Sequence, residues 1–425
     1  MKIIRNCCRI IVGIVFIYSG FVKGIDPLGS MYKFTDYFNA FGIGWASTCS
    51  LFLSFVLSLA EFLVGTALLF NACTRWAIKG ALIFMGIFTP LTLVLALTNP
   101  VSDCGCFGDA IVLSNWATFW KNTILLLLTL TLFLNRKRFH SSLHWFKQLS
   151  LLLLSGGMML FLSLHCYLYL PILDFRPYAV GKNITEGMLL PEGAEPDQYE
   201  VILKYKNKQT GEIKPFTEQN YPWQDTLTWE YHSSSERLVK KGYTPPIHDL
   251  LIDHPDLGEI TEEILQDNNY TFLAVHYNIN LSSAKHQEAI NELARYAREQ
   301  GYRFYGLTSS SQEEVRTYKN RYKVPYDFCT ADEIQLKTMI RSNPGLILLN
   351  KGTILGKWSK NDIPQTDELK NKDLTAFCVY KQQELKSKYL VYSLILLFFV
   401  MYFLFLGKKK KKGRSYTFQN IKFKI

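Results

Sequence analysis

Six apolar runs, at roughly 7–23, 46–72, 76–98, 117–134, 149–171 and 389–406, constrain this 425-residue chain more than any other feature. A helix that crosses the hydrocarbon core of a bilayer needs about 20 mostly apolar residues, and these runs meet that length or come close to it. The apolar share of 48% is only a little above the globular norm, but the average hides a split. The runs crowd the first 171 residues and recur near the C-terminus, whereas 172–388 has the composition of ordinary soluble protein. The expected architecture is an α-helical membrane bundle of about six transmembrane helices joined to a soluble domain. Lys2, Arg5 and Arg9 precede the first run as in a secretory signal, but no clear small-x-small cleavage site follows and further spans do. Gly13, Ser19, Gly20, Ser58, Gly65 and Thr66 within the runs suit helices whose backbones approach closely.

Short basic segments mark the cytoplasmic side of a membrane protein. With six spans, Lys2/Arg5/Arg9, Arg75 and Lys79, the loop NRKRFHSSLHWFK at 135–147 and the tail GKKKKKGRS all fall on one side. The same count puts 24–45, the loop 99–116 and all of 172–388 on the other. The expected location is therefore the inner (cytoplasmic) membrane, multi-pass, with 172–388 periplasmic or otherwise extracytoplasmic. Much of the net charge of +11 lies in residues 408–425, which hold eight Lys or Arg and no acid. A basic tail directly after a span reads as an anchor against anionic lipid, not as a nucleic-acid arm.

Nine cysteines do not form a disulfide scaffold here. Cys7, Cys8, Cys49, Cys73 and Cys166 lie in or beside spans, and Cys329 and Cys378 stand alone, as small core residues do. Only Cys104 and Cys106 form a local pair, in SDCGCFGD at 102–109, on the face where disulfides persist. A C-x-C disulfide closes a very small ring, and strain makes such a bond easier to reduce. Gly105 admits turn conformations closed to other residues. Three readings stay open: a redox pair on a loop open to water, a structural disulfide, or two thiolates that hold a soft metal ion with Asp103 or Asp109. Against the last, no histidine is near in sequence, and structural zinc wants four closed ligands.

Glu61 lies near the middle of a span, where a carboxylate is costly and usually functional. Proton handling beside a redox centre and a helix-to-helix hydrogen bond are the competing roles. Lys23 and Asp26 fall at the outer interface and read as anchors, with a place in the site as the alternative.

The outward part alternates as strands from 199 to 231. Then TFLAVHYN (271–278) reads as a strand, 284–300 as a helix, YRFYGLTSS (302–310) as a strand and SQEEVRTYKNRY (311–322) as a capped helix. A helical 332–341 and the strands GLILLN and TILGKW, joined through Lys351-Gly352, complete it. This order, with SNPGLILLNKGTILGKW at 342–358, resembles the thioredoxin fold over roughly 240–362, and PPIHD at 245–249 resembles the lead-in of peroxiredoxin-type members. The resemblance implies a cis bond at Asn343-Pro344. It also exposes a departure, because Leu281 and Ala284 in NINLSSAK occupy the positions of the family's C-x-x-C. A degenerate thioredoxin-like domain used for binding or support is implied, with Cys329 a buried thiol and not a nucleophile.

YSGFVKGIDP (18–27), LAEFLVGTALL (59–69) and DCGCFGD (103–109) resemble the DoxX-like membrane proteins, in particular the MauE branch known from methylamine utilisation, over 1–135. That resemblance implies support of disulfide chemistry outside the cytoplasm. The expected organisation is a DoxX/MauE-like four-helix membrane domain (1–135), a basic loop and fifth helix (136–171), a β-rich segment (172–239), a thioredoxin-like domain without C-x-x-C (240–388), and a last helix with its basic tail (389–425). The expected function is thiol–disulfide exchange through Cys104 and Cys106, with Glu61 handling protons and extracytoplasmic protein thiols or disulfides as partners. The contrasting expectation is a non-enzymatic scaffold or envelope assembly protein. No cofactor is evident in the sequence, with which a quinone is compatible.

Overall fold

The computed structural model describes residues 2–406 except 102, 142, 196–197, 218, 241 and 249. The chain divides into two compact units, one of Met1–Arg176 with Trp358–Ile425 and one of Pro177–Lys357. Five helices are long and apolar enough to cross a membrane among the described residues: Lys2–Ile25, Gly44–Leu69, Thr74–Thr98, Asn115–Leu134 and Trp145–Leu168. Such helices imply contact with a lipid bilayer. The sixth expected run, 389–406, forms the end of a helix Leu374–Leu406. The basic tail 408–425 lies outside the described residues.

In the first unit, α1 (Lys2–Ile25) is followed by a helix that the sequence reading did not find, α2 (Pro27–Ala40). Its polar residues Ser30, Lys33 and Asp36 break any apolar run. Its start has a plain cause: Pro27 needs no amide hydrogen at the first turn, and the Asp26 side chain accepts from Gly29 N at 2.9 Å. Asp26, expected as an interface anchor, is thus a helix cap. The bundle continues with α3 (Ser50–Leu69), α4 (Thr74–Thr98), α5 (Asn115–Leu134) and α6 (Trp145–Leu168).

The contact of α1 with α3 rests on glycine. A Cβ on Gly65 would lie 2.5 Å from Ile17 N and 2.7 Å from Gly13 O, and one on Gly20 would lie 2.6 Å from both Phe62 N and Ser58 O. Lipid tails are as apolar as leucine, so helices in a bilayer gain from close backbone packing that only small residues allow. Around this seam Val12, Phe16, Leu68, Ile78, Met85 and Leu132 form the core. Cys8 is buried in it, and Cys166 is buried in α6, as expected of lone thiols.

One end of the bundle gathers basic segments. Arg9 donates to Leu69 O at 2.8 Å and to Leu68 O, which serves carbonyls that the end of α3 leaves without helical partners. Arg5 lies over the Phe139 ring, and Asn71 Nδ2 donates to His140 O at 3.0 Å. The loop with Cys104 and Cys106 joins α4 to α5 at the opposite end of those helices.

The second unit carries two sheets. In the smaller, strands β1 (Gln198–Asn207), β2 (Ile213–Thr217) and β3 (Trp229–Lys240) run antiparallel in the order β2-β1-β3. The larger contains β4 (Asp253–His254), β5 (Gly258–Glu259), β6 (Tyr270–Val275), β7 (Arg303–Thr308), β8 (Asp327–Thr330), β9 (Gly345–Asn350) and β10 (Thr353–Ser359), in the order β10-β9-β6-β7-β8-β4-β5. Strands β6, β7 and β8 are parallel, and β9 runs antiparallel to β6. Parallel neighbours need a crossover, supplied by helices Gln287–Glu299 and Gln312–Tyr322. The second opens with a capping box between Ser311 and Glu314. β8, at four residues, is too short to read from alternation. The Asn343–Pro344 peptide is cis, as the resemblance implied.

Candidate functional site

Asp103 begins the turn that sets the two thiols. Its Oδ1 accepts from Gly105 N at 2.8 Å, and Gly105 takes φ +63°. This left-handed conformation favours glycine, and the resulting turn brings Cys104 Sγ and Cys106 Sγ to 3.0 Å. The loop is half-buried rather than open to water as expected, because three helices hold it. From α2, Lys33 Nζ pairs with Asp103 Oδ2 at 2.7 Å and Tyr37 OH donates to Cys104 O. From α1, Ser19 Oγ donates to Cys106 O at 2.9 Å. From α5, Lys121 Nζ sits 4.1 Å from the centre of the Phe107 ring.

Beneath the loop lies an ion pair. Lys23 Nζ is 2.7 Å and 2.8 Å from the two carboxylate oxygens of Glu61 and 3.1 Å from Ser19 Oγ. Glu61 is 3% exposed and Lys23 12%, so the pair is largely enclosed by the bundle. This corrects the reading of Lys23 as an interface anchor: one turn of α1 separates it from Ser19, and that spacing turns it inward. Removing either partner of so buried a pair leaves an uncompensated charge. A cavity of about 30 Å³ adjoins the pair, with Ser19, Lys23, Glu61, Cys106, Lys121 and Asn122 on its polar side. Val15, Phe16, Met85, Phe88, Phe107 and Leu125 line the rest.

The two thiols differ in acidity. Cys106 falls to about 6, first because the Cys104 thiol hydrogen-bonds to its sulfur and then because Lys121 and Lys23 are near, against the opposing effect of burial. Cys104 moves up, because its proton is held in that bond and it is itself buried. Among the described residues no group of three or more His, Cys, Asp or Glu gathers as metal ligands.

Lys121, Lys33 and Tyr37 were not singled out in the sequence. Lys121 carried the same signal as Glu61, a charge inside an apolar run. Nothing local marks Lys33 or Tyr37, whose helix was itself unread.

In the second unit, Leu281 ends a short turn after β6 and is 72% exposed, and Ala284 opens the next turn. Between them Ser282 Oγ lies 2.9 Å from Nδ1 of the buried His276. Cys329 is fully buried in β8, and burial pushes its thiol up to about 12. No thiol stands at the end of β6.

No curated protein matches the chain. Residues 199–241 match a family described as Domain of unknown function (DUF8463). Residues 1–135 match the family described as Methylamine utilisation protein MauE, a segment that takes in α1 to α5 and the whole of the Cys104–Cys106 site.

Proposed function

We propose that this is a membrane-embedded thiol–disulfide redox protein that acts on protein thiols or disulfides outside the cytoplasm through Cys104 and Cys106. The observation that carries the reading is the pair itself: two thiols 3.0 Å apart, beside a buried ion pair at one mouth of the bundle. A metal site would draw further ligands to the loop, and a purely structural bridge would need no lysine-lined cavity behind it.

The exchange balances without a further reagent. One cysteine thiolate attacks a partner disulfide, and a new S–S bond forms as the partner's breaks. The leaving partner thiolate takes a proton. The second cysteine, deprotonated, attacks the mixed disulfide and frees the other partner thiol. Two electrons and two protons pass from the pair to the partner, and the reverse sequence oxidises partner dithiols. Glu61 is the protein's proton acceptor in this scheme, since it is the carboxylate on the shared cavity. A quinone would serve as a further electron acceptor, and no step above depends on it.

The outward unit is read as a thioredoxin-like domain that docks or presents partners. The strand order β10-β9-β6-β7, the parallel β6–β7 pair and the cis Asn343–Pro344 support that reading. With neither Leu281 nor Ala284 able to supply a thiolate, insulin reduction by the full chain should be unaffected by Cys329→Ser. Loss of reduction in that variant would relocate the site.

The basic end of the bundle supports an inner-membrane topology with the thiol loop and the second unit outside. A membrane-impermeant maleimide applied to intact cells should label a cysteine introduced at Glu212 and miss one at Lys137. The opposite pattern would overturn the topology and the exchange reading with it. The reading itself is tested by trapping: the purified full chain with Cys104→Ser or Cys106→Ser, given a peptide disulfide, should accumulate a mixed disulfide in at least one variant. Absence of the adduct in both would leave the pair as a structural bridge.

A further inference from the structure

From the placement of the ion pair between the thiols and the bundle interior, we infer that Lys23 is a positioning residue that makes Cys106 the attacking thiolate and leaves Cys104 as the resolving thiol. The inference rests on the exchange reading for its chemistry and deepens it by giving each sulfur a role.

The two sulfurs face different surroundings. Cys106 lines the cavity with Lys23, Lys121 and Glu61, whereas the Cys104 backbone carbonyl is held by Tyr37 of α2, next to the Lys33–Asp103 pair. The charged groups around Cys106 are thus Lys23 from α1, Glu61 from α3 and Lys121 from α5. Two cations against one carboxylate leave a surplus of one positive charge, which a Cys106 thiolate neutralises. Cys104 feels Lys23 and the Tyr37 hydroxyl as well, but its bond to Cys106 and its burial outweigh them, so it keeps its proton. A proton kept on Cys104 is within reach of the Cys106 sulfur, 3.0 Å away, and donated there it stabilises the thiolate further.

The cavity is sized for water and not for an organic ligand. A buried water needs about 10–15 Å³ of such volume and two to four polar partners, so about 30 Å³ admits about two waters. Ser19, Asn122, Glu61 and Lys23 supply the partners. Waters placed there would lie between the Cys106 sulfur and the Glu61 carboxylate, which line the same cavity. Glu61 serves Lys23 in turn, because its two oxygens both accept from Nζ and fix the ammonium under the loop.

The signs of the charges give a test that a merely structural pair would fail. In the reduced full-length protein in detergent micelles, the rate of iodoacetamide alkylation at Cys104 and at Cys106 is followed against pH by fragment mass spectrometry. Cys106 should react with a midpoint below neutrality and Cys104 should stay slow. Lys23→Met should raise the Cys106 midpoint by about one unit or more, slowing its alkylation at neutral pH, and Lys23→Arg should restore it. Glu61→Gln should move the midpoint the opposite way, because it removes the negative charge that opposes the thiolate. Lys23→Met strands the Glu61 carboxylate and can unfold the chain, so the double variant Lys23→Met/Glu61→Gln, which leaves no unpaired charge, is measured as well. It should keep the upward sign, since the ammonium outweighs the carboxylate at Cys106. Shifts of one sign in both single variants, a double variant without an upward shift, or faster alkylation of Cys104 than of Cys106 would overturn the assignment. Alkylation needs no partner, so failure here leaves the exchange reading standing, and failure of mixed-disulfide trapping leaves these midpoints unchanged.

Discussion

Changing Cys104 or Cys106 to serine is expected to reduce thiol–disulfide exchange to the rate of the double serine variant while the bundle stays folded. One sulfur cannot complete the cycle: without Cys104 the mixed disulfide on Cys106 has no neighbour to resolve it, and without Cys106 the attacking thiolate is lost. The fold should survive because its helices are held by the α1–α3 seam and the core around Phe16, Ile78 and Leu132, and neither depends on the thiol groups. Exchange with a peptide disulfide, measured alongside helicity by circular dichroism, reads both halves. A single variant that keeps full activity, or one that unfolds, would contradict the separation of site from scaffold.

The second large effect belongs to the seam itself. Gly65→Leu should prevent the bundle from assembling, because the first side-chain carbon already falls 2.5 Å from the backbone nitrogen of Ile17, and backbone cannot step aside as a flexible side chain does. Overpacking of an ordinary core costs about 1–3 kcal/mol; here the helices must separate, so the cost should exceed that range. Gly86→Leu, on α4, is the control, since a Cβ at Gly86 meets nothing within 4 Å. Thermal unfolding in detergent should show loss of the transition for Gly65→Leu and little change for Gly86→Leu. The Cys106 site should fail with the seam, since Ser19 and Lys23 reach the loop and Glu61 only while α1 and α3 stay in register.

The seam also explains what the sequence made legible. Apolar runs of spanning length are a one-dimensional signal: among the described residues five of the six lie on helices long and apolar enough to span, at nearly the expected positions, and the sixth lies on the helix Leu374–Leu406. The strands Tyr270–Val275, Arg303–Thr308, Gly345–Asn350 and Thr353–Ser359 fall on the expected runs in the same way, whereas no run announced Asp327–Thr330. Cys104 and Cys106 announced themselves because they are neighbours in the chain, and Glu61 because a carboxylate in an apolar run is costly wherever it points.

The sequence by itself therefore determined the membrane helices, the β-rich second unit, the thiol pair and the buried carboxylate, all of which depend on composition and spacing within a short window. Only the tertiary structure decided what surrounds them. Lys23 and Glu61 are 38 residues apart, and Lys33 and Asp103 are 70 apart; no local pattern ties such residues together. Whether Lys23 points to lipid headgroups or into the bundle depends on how closely α1 lies against α3, and the glycines at 13, 20 and 65 set that distance. The polarity between the two sulfurs has the same origin, because Cys104 and Cys106 share one sequence environment and differ in which helices close over them.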